Sequence, residues 1–213
     1  MSTYRDKDRE LARFVAERVS GLQSRYLRDD AAAVAALARL RRGAAKRAGS
    51  LPELWELTLD DLPEILADES DYSRSERDGT PTQWEQAVHD AITLHAWHQQ
   101  SRSEPMHRYR AGFGTAVRTL GDRTSAEGIR RRFHALGTAA HHDARLIMLR
   151  ALVGQLRAHS IPLDYGRLAC DLRRLDGGTY AKDVLLQWGR DYHRAPARDA
   201  NHQQTTPVKG EIQ

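Results

Sequence analysis

The side chains whose types and spacing suggest chemistry are arginines, and many of them lie in residues 112–136. This stretch, GFGTAVRTLGDRTSAEGIRRRFHAL, has the pattern of two short amphipathic helices joined by residues 121–125. The apolar residues of the second helix form one stripe, and the three consecutive arginines at 130–132 lie outside that stripe. Such an arrangement is typical either of a solvated helix or of an edge that contacts phosphate groups.

A second group of basic side chains lies in residues 36–50, and it is followed by an acidic segment. Residues 36–50 contain no Asp or Glu and carry Arg39, Arg41, Arg42, Lys46 and Arg47. In residues 51–72 every charged side chain is Asp or Glu. The net charge is +4, so the segregation of the two signs is more informative than their sum. Separated charges favour a protein that presents different surfaces to different partners.

Histidine and aspartate residues allow two interpretations as a metal site. His95 and His98 are three residues apart on a predicted helix, but no Cys or carboxylate completes a ligand set, so hydrogen-bonded core histidines explain them more simply. The order of His98, His142, Asp143 and Asp171 resembles that of a His-Asp metal-dependent phosphohydrolase. Because Asp143 is also explained as a helix-start residue, we predict no catalytic residue, no metal ligand and no cofactor.

Residues 112–136 can also be interpreted as the helix-turn-helix of a DNA-binding regulator, in which the second helix would contact base edges. That helix carries mostly arginine as its polar residues and lacks the Asn, Gln and Ser mixture that reads base edges. The sequence also shows no clear dimerisation surface to accompany it. The regulator therefore stays an alternative to a protein that contacts phosphates.

Composition and periodicity predict that these residues are carried by helices. Ala, Leu, Arg and Glu are abundant, and the alternation typical of strands is absent. Helical periodicity extends over about 6–27, 31–46, 81–102, 112–136, 143–160, 164–176 and 182–194. We expect an all-α protein, a compact bundle of roughly eight to nine helices, built as one body or as two helical halves. Trp84, Trp97 and Trp188 are expected to be core or subunit-contact anchors, and Cys170 a buried thiol.

The polar residues 68–80 have no clear periodicity and are interpreted as a loop between two parts. We expect a helical part at 1–79 with a basic and then an acidic segment, a helical bundle at 80–194, and a disordered tail at 195–213. The longest apolar run is far shorter than the roughly 20 residues that span a bilayer, and no leader opens the chain. The expected location is the cytoplasm, without membrane contact.

Seven phrases, taken in order, resemble one known family. They are ALARLRRGAAK, PELWELTLDDLPE, AITLHAWHQQSR, GFGTAVRTL, IRRRFHALGTA, IPLDYGRLACDL and LLQWGRDYHR. Together they are similar to the CasB family, the small subunit of the type I-E CRISPR surveillance complex called Cascade. The similarity extends from about Phe14 to Arg194.

The resemblance implies an all-helical, non-enzymatic subunit that acts in antiviral defence. It implies a head-to-tail pair of copies within the complex, with the backbone and large subunits as partners. The basic surface would lie beside the guide RNA and the target DNA, hold the displaced non-target strand and so stabilise the R-loop. The acidic residues 51–72 would then face protein rather than nucleic acid.

Holding a displaced strand requires basic side chains along a groove and no reading of bases. The candidate nucleic-acid contacts are basic residues in loops or outside the apolar helix stripes, and they are Arg39, Arg41, Arg42, Lys46, Arg108, Arg110, Arg118, Arg123, Arg130, Arg131, Arg132 and Arg150.

Overall fold

The computed structural model describes residues 3–139 and 141–194, and within these ranges the regular secondary structure is helical. The α-helices are α1 (Tyr4–Tyr26), α2 (Ala31–Leu40), α3 (Trp55–Thr58), α4 (Arg74–Arg77), α5 (Gln83–Gln99), α6 (Phe113–Arg123), α7 (Ala126–Thr138), α8 (His142–Ala158), α9 (Tyr165–Asp176) and α10 (Ala181–His193). Short 3₁₀ turns occupy Arg41–Gly43, Pro52–Leu54 and Glu69–Asp71. The predicted all-α fold is confirmed.

Helix starts follow local capping chemistry. Thr82 and Glu85 form a reciprocal capping box at the start of α5, and Asp164 accepts a hydrogen bond from the Arg167 amide at the start of α9. Ser73 and Glu76 form another capping box, which opens α4 inside the stretch predicted to be a loop. The segment interpreted as a loop, 68–80, thus contains one short helix that apolar periodicity does not predict, because a local capping box orders a single turn there.

Helix α5 lies at the centre of the fold, where it packs against α1, α2, α8 and α9. Polar residues on α5 are buried with partners: His98 Nδ1 lies 2.9 Å from the Tyr165 hydroxyl, and His95 Nε2 lies 3.4 Å from Gln23 Oε1. The prediction that His95 and His98 are hydrogen-bonded core residues is confirmed. A helix that is enclosed by neighbours positions the elements around it, including those that carry the basic side chains.

A second layer consists of α6, α7 and α10, held together by aromatic side chains. The rings of Phe113 and Trp188 are 4.6 Å apart between centroids, and Phe133 completes the cluster. Gly114 permits the close approach of α6 to α10, since a Cβ atom there would lie 2.2 Å from the Trp188 carbonyl oxygen. Trp188 and Trp84 are buried, as expected for core anchors, whereas Trp97 is half-buried.

The contact between α1 and α9 depends on small residues and one buried ion pair. A Cβ atom on Gly166 would lie 2.5 Å from the Ala12 carbonyl oxygen. Arg173 donates three hydrogen bonds to the buried carboxylate of Asp8, at 2.6, 2.8 and 3.1 Å. The Cys170 thiol is largely buried and donates to the Asp8 carbonyl at 3.1 Å, and burial raises its pKa to about 12. A buried thiol of this kind is inert, which agrees with the prediction.

One hydrophobic core includes residues from both sides of position 79, between Leu11 and Trp188. The division of the chain at that position stays a prediction. Within the described ranges no helix is long and apolar enough to cross a membrane. The tail predicted to be disordered, 195–213, lies outside the described residues.

Candidate nucleic-acid interface

The loop between α5 and α6 presents arginines on a fixed backbone. The Arg108 amide donates to the Leu163 carbonyl at 2.9 Å, and the Arg110 amide donates to the Asp164 carboxylate at 2.8 Å. Arg108, Tyr109 and Arg110 are exposed there and line one side of a groove of about 420 Å³. The loop is therefore a rigid support for basic side chains rather than a free tether.

Arg123, at the end of α6, also lines this groove. Its guanidinium donates to the His159 carbonyl at 2.8 Å, and the neighbouring Ser160 also lines the groove. The Ser160 hydroxyl accepts a hydrogen bond from Arg102 at 2.5 Å. Ser160 thus connects the groove to the region around Arg102.

A second group of arginines surrounds the half-buried Trp97. The guanidinium carbon of Arg150 lies 4.4 Å from the centroid of the Trp97 ring, and that of Arg157 lies 4.5 Å from it. Arg157 also donates to Gln100 Oε1 at 2.8 Å. Cation–π contacts at these distances hold both guanidinium groups in place while leaving donors unused.

Hydrogen bonds link these two groups. Arg157 of α8 donates to Gln100, just after α5, and Arg102 donates to Ser160, just after α8. Burial lowers the pKa of Arg157, and the like charges of Arg102 and Arg41 lower it further. Arg102 leads through Ser160 to the groove. We call this surface the arginine face, and its members are Arg41, Arg102, Arg108, Arg110, Arg123, Arg150 and Arg157.

Within residues 3–139 and 141–194, no carboxylate lies within salt-bridge distance of an arginine-face guanidinium. Like charges gathered without counter-charges repel each other, and this repulsion disfavours the charged form of Arg157. A polyanion removes the repulsion, and guanidinium groups match phosphate oxygens in geometry and charge. The arginine face is therefore chemically suited to a phosphate backbone.

The structure divides the twelve candidate residues into three sets, all of which stay predictions. Five of them belong to the arginine face, namely Arg41, Arg108, Arg110, Arg123 and Arg150. Four others, Arg39, Lys46, Arg130 and Arg132, are exposed, and no described hydrogen bond or salt bridge links them to that face.

The third set already has carboxylate partners within the chain, and for Arg118 this partner is Asp122 at 3.7 Å. Arg42 pairs with Glu53 at 3.1 Å, and Arg131 lies 3.6 Å from Glu127 on the same helix. Arg118 is half-buried and donates to the Arg194 carbonyl at 2.5 Å. These contacts reduce the number of donors that a phosphate would find free.

The sequence analysis did not select Arg102 and Arg157 as candidates. A signal for Arg157 was present, because it lies seven residues after Arg150 and therefore on the same face of α8. Arg102 follows the end of α5, and nothing in its sequence neighbours shows that it approaches Arg157.

The acidic segment folds back on α1 and also approaches the end of α2, where Glu53 pairs with Arg42. Arg18 of α1 donates to the Glu56 carbonyl at 3.2 Å and also to the Asp60 carbonyl. These hydrogen bonds use backbone oxygens, so they leave the Glu56 and Asp60 carboxylates available, whereas the Glu53 carboxylate pairs with Arg42. Trp55 is exposed among them.

His142 lies between two carboxylates, but the phosphohydrolase interpretation is not supported. His142 Nδ1 is 2.6 Å from Asp176 Oδ2, and its Nε2 is 3.4 Å from Asp90 Oδ2. Burial raises the pKa of Asp90 to about 8. Burial alone would lower the pKa of His142, but Asp176 and Asp90 raise it. The cluster therefore retains a proton near neutral pH and joins α5, α8 and α9.

The residues of the alternative phosphohydrolase set are not brought together. Asp171 Oδ2 accepts a hydrogen bond from the Trp188 indole at 2.7 Å, and His98 contacts Tyr165. Among the described side chains, Asp90, His142 and Asp176 form the one group with ligand atoms within 4.8 Å of one another. The set of His98, His142, Asp143 and Asp171 is thus not assembled.

The chain is similar to a family of CRISPR-associated proteins. The family model described as CRISPR-associated protein Cse2 matches residues 36–193. The crystal structure of CasB from Thermobifida fusca is 39% identical in sequence, with a TM-score of 0.73, and the match covers 87% of this chain and 98% of that chain. A comparison with curated protein sequences gives no significant match.

Two more distant structures share the fold. A CRISPR-associated protein of the Cse2 family from Thermus thermophilus is 22% identical with a TM-score of 0.61, over 86% of this chain and 98% of that one. A chain of a CRISPR RNA-guided surveillance complex is 23% identical with a TM-score of 0.58, over 84% of this chain and 94% of that one. The family model spans most of the sequence and agrees with the 39% identical structure, so this chain belongs to the CRISPR-associated Cse2 family.

Proposed function

We propose that this chain is the small subunit of a type I-E Cascade complex and holds the displaced non-target DNA strand on its arginine face. The strand would lie beside the guide RNA–target duplex, and its retention would stabilise the R-loop. The Cse2 family is a non-catalytic, structural one, so the role is binding rather than hydrolysis. The observation that carries the proposal is a set of seven arginines, partly linked by hydrogen bonds, for which the described residues supply no carboxylate partner.

Contacts of this kind recognise the phosphate backbone rather than the bases. Sequence in an RNA-guided complex is read by base pairing, so a subunit that holds the displaced strand must accept any sequence. Arginines distributed over the α5–α6 loop, α6 and α8 can follow a backbone over several phosphates. Their contribution falls with salt, because each phosphate contact releases condensed counterions.

The remaining surfaces fit the proposed protein partners. One related structure is a chain of a CRISPR RNA-guided surveillance complex, which supports a role within an assembly. The acidic segment repels nucleic acid and suits a protein contact, with the backbone subunit, the large subunit or a second copy of this chain as the expected partners. A subunit with modest affinity of its own binds a strand effectively when the complex holds the two close together.

The test compares neighbouring arginines that differ in their partners. Arg41→Ala and Arg123→Ala remove members of the arginine face, whereas Arg42→Ala and Arg131→Ala remove guanidinium groups that are already paired. We expect each of the first two changes to weaken target binding by the reconstituted complex about threefold to tenfold, and the matched controls to have smaller effects. The readout is the dissociation constant for a target with an R-loop.

Two outcomes would contradict the proposal. Equal effects of all four variants would show that the arginine face has no special part in binding. Sequence-selective binding of duplex DNA by the free chain, lost on replacing arginines of α7, would instead support a helix-turn-helix regulator.

A further inference from the structure

Tyr109 is exposed to an extent that folding does not explain. Its side chain is 73% exposed, the highest value among the large apolar or aromatic side chains of the described part of the chain. Arg110 makes a cation–π contact with its ring, with the guanidinium carbon 5.2 Å from the ring centroid. The ring therefore contributes little to the core and is available to a ligand.

The backbone that carries Tyr109 is fixed on both sides. The Arg108 amide is bonded to Leu163, the Arg110 amide to Asp164, and the Asp164 amide to the Ala111 carbonyl at 2.8 Å. Three hydrogen bonds to the start of α9 leave little freedom for this loop. A ring on such a support stacks with a ligand at a low cost in conformational entropy.

The surroundings of Tyr109 favour a nucleic-acid ligand over an apolar one. Its ring lies at the rim of the groove that also contains Arg108 and Arg123, and it borders a second groove of about 830 Å³ beside α1 and α9. The first groove is lined by guanidinium groups and by no acidic side chain. An exposed aromatic ring between phosphate-binding arginines is the arrangement that binds single strands, because every base offers a π-face for stacking.

We propose that Tyr109 is a stacking platform for an unpaired base of a strand whose phosphates contact the arginine face. The inference rests on the proposed function. It adds that the chain binds single-stranded nucleic acid in preference to double-stranded nucleic acid. Bases within a duplex are stacked on their neighbours and offer no free face to the ring, whereas the bases of a displaced strand do. The platform is expected to tolerate any base.

The experiment separates stacking from phosphate contact by means of two probes. A fluorescein-labelled oligothymidylate and an abasic oligonucleotide of equal length are titrated with the full chain at low salt, and binding is followed by fluorescence anisotropy. We expect Tyr109→Ala to weaken binding of the oligothymidylate about tenfold and to leave binding of the abasic strand unchanged. Tyr109→Phe keeps the ring and should bind like the unmodified chain.

Tyr180→Ala is the matched control, because Tyr180 is also exposed, at 44%, but lies outside both grooves. It should leave both dissociation constants unchanged. Equal binding of both probes by Tyr109→Ala and the unmodified chain would overturn the platform. If Arg123→Ala still weakened both probes in that case, the proposed phosphate contact would stand. Failure of Arg123→Ala to weaken either probe would instead contradict the proposed function.

Discussion

At the scale of single residues, the availability of an arginine depends on its neighbours in space more than on its exposure. Arg41 and Arg42 are adjacent in the chain, yet Arg42 pairs with Glu53 and Arg41 has no described carboxylate partner. An exposed ion pair contributes little to the free energy of unfolding. However, the guanidinium must leave its carboxylate partner before it can bind a phosphate. Arginines that are adjacent in the chain can therefore contribute differently to the affinity for a phosphate backbone.

The buried histidines of α5 give the protein a pH-dependent stability. Burial lowers the pKa of His98 to about 3 and holds that of His95 well below its ordinary value. Between these values and about 6.5, the unfolded chain binds protons that the folded chain does not. Each such histidine therefore lowers the free energy of unfolding as the pH drops from 7 to 5, by up to about 1.4 kcal/mol per pH unit, whereas Asp90, whose pKa burial raises to about 8, contributes in the opposite direction.

The measurement is urea unfolding at pH 7 and pH 5 for the unmodified chain, His98→Gln and His134→Gln. His98→Gln removes one titrating group, so the difference between the two pH values should shrink. His134 is exposed, and its replacement should leave that difference unchanged. An unaltered pH dependence in His98→Gln would show that this histidine is not held neutral in the folded protein.

The sequence predicts which residue types bind phosphate but not which of them are free to do so. Spacing on a helix places Arg150 and Arg157 on one face, and it also reveals the pairing of Arg131 with Glu127. The approach of Arg102 to Arg157, by contrast, results from the way α5 and α8 pack, which local patterns do not contain. The sequence gives no signal that distinguishes Tyr109 from other loop residues. Its fixed position depends on hydrogen bonds between its loop and the start of α9, which are long-range contacts.

At the scale of helices, two pairs of helices approach each other closely at glycines, where the neighbouring backbone leaves no space for a side chain. A Cβ atom on Gly114 would lie 2.2 Å from the backbone of α10, and one on Gly166 would lie 2.5 Å from the backbone of α1. Backbone atoms cannot move aside as the end of a flexible side chain can. Each crossing must therefore open if a methyl group is added.

We expect Gly114→Ala to lower the free energy of unfolding by about 1–3 kcal/mol, because α6 and α10 must separate. Gly21→Ala is the matched control: it also adds a methyl group to a glycine inside a helix, but nothing lies within 4 Å of that position. Better helix propensity should make Gly21→Ala neutral or stabilising by up to about 1 kcal/mol. Urea unfolding distinguishes the two, and equal effects would contradict the close crossing.

Helix positions were largely predictable, because apolar spacing and capping residues are local signals. The long helices lie close to the predicted ranges, with α5 over Gln83–Gln99 where 81–102 was expected. Helix α4 was missed because its four residues bury no apolar side chain, so periodicity gives no signal there. Its capping box, Ser73 with Glu76, was the available signal.

At the scale of the whole molecule, the separation of charges predicts how binding responds to salt. Each phosphate contact on a single strand should contribute about 0.7 to the slope of log affinity against log salt concentration. Arg150→Ala should reduce the magnitude of that slope by about this amount, and Arg131→Ala should leave it nearly unchanged. Anisotropy titrations at several salt concentrations measure both slopes, and identical slopes for the two variants would exclude Arg150 as a phosphate contact.

The arginine face also has a consequence for the protein before it meets its partners. A folded chain that gathers guanidinium groups without counter-charges carries a repulsion that the unfolded chain, with its charges spread apart, does not. Any polyanion that binds the folded state alone removes this penalty and shifts the folding equilibrium by mass action. A copy that has bound no polyanion is then expected to be less stable than one that has.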